Sequence, residues 1–273
     1  MSSVRWSNSG SCAKLCVCAR YVFSGELSQQ GRGLDVLTSR VATLQDNSAH
    51  GEDNYLIRAL GEHAFLDAIM DGVTGRGGKQ ASRLAVEALA VARLTSAGDM
   101  VAVLEKLNRQ LYDRGGGSLL LTTVSAALCI DDKLSIAGVG DSSAFLIRSK
   151  SFQYLCSPRP GMFLGSHVQL QGFYRMEMTI EPGDRMVLAT DGITDNITSS
   201  ELVDVIRHSA SPDEAAGQLR TIMVTRAAGE CLAAAPLRGR FRYDDWTAIV
   251  RFFNALGQEG PAKNPGGTDI KVR

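Results

Sequence analysis

The sequence predicts a single α+β domain in which antiparallel sheets are covered by helices. Two observations carry this expectation. Strand-like runs follow one another as a hairpin instead of alternating with helices, and the helix-like segments come in pairs. A β-α-β alternation, the signature of a parallel sheet, is not the pattern.

Each element has its own reason. Ala64 to Met70 (AFLDAIM) is an apolar run too short for a helix, and it ends at Asp71-Gly72, as a strand ends in a turn. Ala81, Leu84, Ala85, Ala88, Leu89 and Ala92 keep the i, i+3, i+4, i+7 spacing of an amphipathic helix, with Arg83 and Arg93 outside it. Met100, Val103, Leu104, Leu107 and Leu111 repeat that pattern, with Asp99 placed to cap the helix and Gly115-Gly116-Gly117 breaking it. Strands are expected over Thr122 to Ile130 and Leu134 to Val139, joined by a turn at Asp131-Asp132-Lys133. Ala144 to Ile147 and Arg185 to Thr190 read as further strands. Capping boxes at Thr198-Ser199-Ser200-Glu201 and Ser211-Pro212-Asp213-Glu214 open two more helices, and Trp246 to Phe253 closes the domain as a strand. The resulting boundaries are an N-terminal extension over 1–38, the domain over 39–253, and a mobile tail over 254–273.

Composition removes several function classes. At 273 residues and 44% hydrophobic the chain buries a real core, which excludes global disorder. Lys plus Arg (29) balance Asp plus Glu (29), so no broad basic surface invites nucleic acid or a membrane. The longest uncharged run, Gly115 to Ile130, is interrupted by Gly, Ser and Thr and does not reach a membrane span. The cysteines, at 12, 16, 18, 129, 156 and 231, match neither a disulfide framework nor zinc-ligand spacing, and read as idle thiols in a reducing compartment. The first 25 residues hold no acid, so an organellar presequence stands as an alternative to a plain extension. The expectation is a cytoplasmic protein.

The chemistry gathers at acids. Asp71, Asp141 and Asp191 each stand beside a glycine at the end of an apolar strand, and Asp244 immediately precedes the last strand. Strand ends are rigid, and glycine lets a ligand approach the backbone. One Asp-Gly is most often only a turn, but carboxylates gathered by converging strands repel one another and need a cation or protons. With oxygen donors and no His among them, Mg2+ or Mn2+ suits such a cluster.

In order and spacing, Gly51-Glu52-Asp53, Asp71-Gly72-x-x-Gly75, Thr122-Thr123, Gly138-Val139-Gly140-Asp141-Ser142, Asp191-Gly192-Ile193-Thr194-Asp195 and Asp244-Asp245-Trp246-Thr247 resemble the metal-dependent, type 2C protein serine/threonine phosphatases. The likeness runs from about Val41 to Phe253. It implies a four-layer α/β/β/α sandwich, two antiparallel sheets flanked by helices. It also implies hydrolysis of phosphoserine and phosphothreonine in proteins by a water bridging two Mg2+ or Mn2+ ions. By the same resemblance Asp71 bridges both ions, the Gly72 carbonyl binds one, and Asp191 and Asp244 are the remaining direct ligands. Glu52 and Asp53 hold metal-bound waters, and Asp141 helps to hold a third, weaker ion. The implied partners are a phosphorylated protein and a cognate serine/threonine kinase or its targets, with no nucleic acid, no membrane, and a monomeric enzyme.

Departures from the family pattern matter as much. Ser48 stands where the family places a phosphate-gripping arginine, with His50 beside it as another group within reach of phosphate. Val73, Ser143 and Asp245 replace the His, Arg and Asn that many members carry, and Cys156 to Leu164 leaves little room for the microbial flap. Gly75-Arg76-Gly77-Gly78-Lys79 lacks the spacing of a true phosphate loop and reads as the turn entering the helix after Asp71. Arg238, Arg240 and Arg242, near the proposed site, are alternative sources of the missing arginine. His63, His167 and His208 are read as ordinary surface or core residues. The rival function is a catalytically inactive phosphatase fold that binds a partner; a two-metal nuclease is disfavoured by the neutral charge.

Overall fold

The computed structural model describes residues 37–156, 159–229, 241–255 and 271–272. In chain order the elements are β1 (Leu37–Asp46), β2 (Asn54–Gly61), β3 (Ala64–Met70), α1 (Gly78–Val91), α2 (Ala97–Gly115), β4 (Val124–Ile130), β5 (Lys133–Val139), β6 (Ser143–Ile147), β7 (Phe152–Tyr154), β8 (Tyr174–Thr179), β9 (Arg185–Ala189), α3 (Asp191–Thr194), α4 (Ser199–His208), α5 (Pro212–Ala227), β10 (Trp246–Ala255) and β11 (Lys271–Val272). One sheet has the order β1-β10-β9-β6-β7, the other β11-β2-β3-β4-β5-β8. Every pairing between strands is antiparallel.

The strands read as unbroken apolar runs because both their faces are covered. In β3, Phe65 and Ile69 face the opposite sheet and pack with Leu188, Ile249 and Phe253. The alternate residues Leu66, Ala68 and Met70 face α1 and α2 instead, against Ala85, Leu89 and Leu104. The same alternation in β10 turns Ile249 and Phe253 inward, and Ala248, Val250 and Phe252 toward α4 and α5. The layers are therefore helices, sheet, sheet, helices. At the two inward positions where this pattern would place an apolar residue, Asp67 of β3 and Arg251 of β10 form a bidentate ion pair across the sheets, at 2.7 and 2.8 Å.

Differences from the sequence reading are local. Asp99 is not the cap of α2: Ser96 is, accepting from the Asp99 N–H at 3.2 Å, while the Asp99 carboxylate turns back to the N–H and hydroxyl of Thr95. A cap must precede the first turn, and Asp99 lies inside it. The box at Thr198 and Glu201 forms in full, but Glu214 reaches the N–H of Ala210, one residue before the Ser211 cap. Asp131 and Asp132 alone make the β4–β5 turn, with Asp131 at φ 56°. The strand at Ala144 to Ile147 belongs to the sheet opposite β5, and β1, β2, β7 and β8 were not anticipated. Of the tail, Lys271 and Val272 pair with β2, and β10 extends to Ala255. The last two residues of the expected N-terminal extension, Leu37 and Thr38, open β1; residues 1–36, with Cys12, Cys16 and Cys18, lie outside the described residues, as do Cys231, Arg238 and Arg240.

This topology brings one end of both sheets together. β3 and β5 flank β4 antiparallel, so their C-terminal ends lie at the start of β4, where Ile69 faces Ser125 and Val139 faces Val124. In the other sheet β10 starts beside the ends of β1 and β9, with Asp46 opposite Trp246 and Ala189 opposite Ala248.

Candidate metal centre

At that shared end Asp71, Asp141 and Asp191 each place a carboxylate oxygen so that all three lie within 4.8 Å of one another. Each is held by its backbone. The Asp71 N–H donates to Thr123 Oγ1 at 3.0 Å, and its carbonyl accepts from the Thr123 N–H and the Thr122 hydroxyl, both at 2.8 Å. The Thr123 hydroxyl also meets that of Ser142 at 2.7 Å, tying the Asp71 strand to the turn that carries Asp141. Asp191 opens α3. A Cβ on the following Gly192 would stand 2.1 Å from the Asp245 carbonyl oxygen, so only glycine fits there. Gly72 packs as closely on Gly78, where a Cβ would meet the Gly78 carbonyl carbon at 2.4 Å and hold the start of α1 away.

Around the trio stand the other expected acids. Asp53 is buried and accepts from the Thr190 hydroxyl at 3.0 Å, and that hydroxyl receives the N–H of Thr247. Glu52 lies nearer the rim, its carboxylate accepting from the Thr74 hydroxyl at 2.6 Å. Asp244 stands outside the close trio, half exposed, with His50 Nε2 at 3.9 Å from its Oδ1. Ser48 is exposed, its N–H donating to Asp46 Oδ1. Asp245 is buried and accepts three backbone N–H groups, from Ala49, His50 and Glu52, at 2.7 to 3.1 Å. An asparagine offers one acceptor oxygen where this carboxylate offers two, so the variant residue firmly sets the loop that carries Ser48, His50 and Glu52.

Sequence reasoning missed Thr190 and Thr74, which orient Asp53 and Glu52. The signal for Thr190 was its position just before Asp191. It also missed that Arg242 is ion-paired with Asp195. Among the histidines, His167 Nδ1 meets Ser166 Oγ and His208 Nδ1 meets the Asp204 carbonyl oxygen. The β7–β8 connection runs from Leu155 to Phe173, longer than the segment first assigned to the flap.

The electrostatics are those of too many acids in too little water. Burial, then the charges of Asp53 and Asp191, hold the Asp71 carboxyl well above the usual carboxylate range. Burial pushes Asp53 up to about 8 against the hydrogen bonds from Thr247 and Thr190, and pushes Asp191 up to about 6 with help from Asp141 and Asp244. Asp141 and Asp244 rise for the same first reason, burial. Asp53 Oδ1 and Asp191 Oδ1 are buried without a hydrogen-bond partner. Buried unpaired carboxylate oxygens are costly. A hard divalent cation with oxygen ligands satisfies them and removes the repulsion, so the residues fit the group.

Folded-state carboxyls raised above their unfolded value near 3.9 make the native state bind more protons than the unfolded state. Metal-free protein is therefore expected to lose stability as pH rises from about 4 to about 8, through the raised values of Asp191 and Asp53. A saturating divalent cation, which competes with those protons, should raise the melting temperature more at about pH 8 than at about pH 5. Thermal melts in EDTA and in Mn2+ across that range check it; a metal-free melting temperature that climbs with pH would contradict the cluster.

The fold and the chain have relatives. Pseudomonas aeruginosa PppA, a key regulatory component of T6SS, superposes with a TM-score of 0.66 at 22% identity, covering 80% of this chain and 99% of that one. The catalytic domain of serine/threonine protein phosphatase PstP, in complex with 2 manganese ions, gives 0.64 at 20% identity, over 80% and 99%. Serine/threonine phosphatase Stp1 from Staphylococcus aureus gives 0.66 at 19%, over 85% and 100%. At these identities the likeness shows the fold, the type 2C phosphatase sandwich. No curated protein matches the sequence. The family model for Stage II sporulation protein E (SpoIIE) matches residues 66–251, from β3 through most of β10 and across Asp71, Asp141, Asp191 and Asp244. That is more than half of the sequence, and the chain belongs to the SpoIIE family.

Proposed function

We propose that the protein is a metal-dependent phosphatase that hydrolyses phosphoserine and phosphothreonine in protein substrates, opposing a serine/threonine kinase. The observation that carries this reading is the half-buried convergence of Asp71, Asp141 and Asp191, with carboxylate oxygens left unpaired at Asp53 and Asp191. Asp71 would bridge two Mg2+ or Mn2+ ions, with the Gly72 carbonyl, Asp191 and Asp244 as further ligands. Glu52 and Asp53 would act through water, and Asp141 would hold a third, weaker ion. When bound, such cations supply a water nucleophile at neutral pH and offset charge on the phosphoryl oxygens. The chain's own contribution is orientation: Thr122 and Thr123 hold the Asp71 backbone, Thr190 aims Asp53, and Asp245 sets the loop of Glu52. Among the described residues no helix is long and apolar enough to cross a membrane. We read the enzyme as a cytoplasmic monomer.

The test is hydrolysis of a phosphoserine peptide and of para-nitrophenyl phosphate with and without Mn2+. Metal-dependent release of phosphate is expected. Tight phosphopeptide binding without turnover would favour the inactive binding module instead.

The cysteines give an independent check on mechanism. Burial pushes the Cys129 thiol up to about 12 and raises Cys156, so neither is a thiolate at neutral pH. Chelation by EDTA should abolish turnover, whereas alkylation of native protein with iodoacetamide should leave it unchanged. The opposite pattern would indicate a cysteine nucleophile.

A further inference from the structure

We infer that Lys79 supplies the cation that grips the substrate phosphate in place of the arginine replaced by Ser48; the assignment rests on the phosphatase reading above. The turn Gly75-Arg76-Gly77-Gly78-Lys79, which resembles a phosphate loop without being one, makes a tight return from Asp71 into α1. Gly75 and Gly77 both adopt left-handed backbone, at φ 73° and 71°. The close packing of Gly78 on Gly72 seats the first turn of α1 directly on the Asp71-Gly72 peptide. Lys79 is the next residue. It is exposed, and its ammonium lies 3.6 Å from the point where a Cβ on Gly51 would stand. Gly51 belongs to the loop of Ser48 and His50, adjoins Glu52, and presents bare backbone to the lysine.

The spacing between lysine and loop is fixed from both sides. Asp245 holds the loop through three N–H groups, and the Ser82 hydroxyl, one turn along α1, donates to the Glu52 carbonyl at 2.6 Å. Among the described residues nothing nearby claims the charge. Among the described residues Lys79 makes no ion pair, α1 has no acid in its first turn, and the Glu52 carboxylate accepts from Thr74. Arg242 is committed to Asp195. The N-terminal end of α1 adds a partial positive charge in the same direction.

An ammonium is a compact point charge, whereas the guanidinium it replaces is a planar fork. It attracts a phosphate dianion without demanding one orientation of the ester. The predicted enzyme therefore accepts phosphomonoesters with little orientational selectivity at this subsite, and its affinity for them falls steeply with salt.

Steady-state kinetics with Mn2+ and para-nitrophenyl phosphate test this, with inorganic phosphate as a competitive inhibitor. Lys79→Gln should raise both KM and the phosphate inhibition constant roughly tenfold, the low end of what a charge-assisted hydrogen bond contributes. Its kcat should change far less, its melting temperature should not move, and the salt dependence of KM should flatten. Lys79→Arg should restore both constants. Unchanged constants in Lys79→Gln, or a larger rise in Arg76→Gln or Arg242→Gln, would overturn the assignment while leaving the phosphatase reading intact. Wild-type protein without Mn2+-dependent turnover would overturn both.

Discussion

Asp71→Asn is expected to reduce metal-dependent hydrolysis to background and, in the same protein, to raise the melting temperature of the metal-free form. The two effects have one cause. Asp71 lies beside Asp141 and Asp191, and its ionised form is disfavoured first by burial and then by the charges of Asp53, Asp191 and Asp244. Replacing the carboxylate with a neutral amide of the same shape removes that penalty while keeping the backbone hydrogen bonds to Thr122 and Thr123. The site that results binds cations poorly. Loss of an outer-shell partner typically costs about 10–100-fold in metal affinity or activity, and removal of a bridging ligand should cost more. Calorimetric titration with Mn2+, kinetics and melts in EDTA check the three parts. A variant that retains the Mn2+ isotherm, or whose metal-free form melts lower than wild type, would sink the assignment of Asp71.

Asp67→Ala should be the most destabilising single substitution in the sandwich, at about 3–5 kcal/mol. A domain of this kind has only about 5–15 kcal/mol in all. Asp67 is fully buried, its side chain pairs bidentately with that of Arg251, and Arg251 also lies over the Phe65 ring at 3.7 Å and donates to Ser39. Truncating the acid strands a guanidinium that cannot lose its proton. The reciprocal Arg251→Met should cost less, because a stranded Asp67 can take up a proton; its deficit should shrink as pH falls. Replacing both with Leu and Met should come close to neutral, since well-packed apolar residues often do as well as a buried pair. Denaturant unfolding of the three variants decides this. A cost below about 1 kcal/mol for Asp67→Ala would mean that water reaches the pair.

The same two examples mark how far the sequence could be read. AFLDAIM announces a buried strand, but Asp67 within it looks like noise until Arg251, far along the chain, is seen opposite it in the other sheet. The strands with both faces covered were legible because nearly all their residues are apolar. β2 and β8 were not, because one is mixed and the other alternates exposed Arg175 and Glu177 with half-buried methionines. β8 did carry a period-2 signal that went unread.

The class of fold, the helices with their caps at Thr198 and Ser211, and the set of acids beside glycines are written in the sequence, because these depend on local periodicity and turn chemistry. Which acids share a space depends on how the strands assemble. Asp141 enters the tight trio and Asp244 stands at its edge, a distinction set by the register of β5 and β10 and invisible in spacing. Assembly also sets which polar groups serve the acids. Thr190 and Asp245 act on partners far away in sequence, through hydrogen bonds that exist only once the two sheets meet.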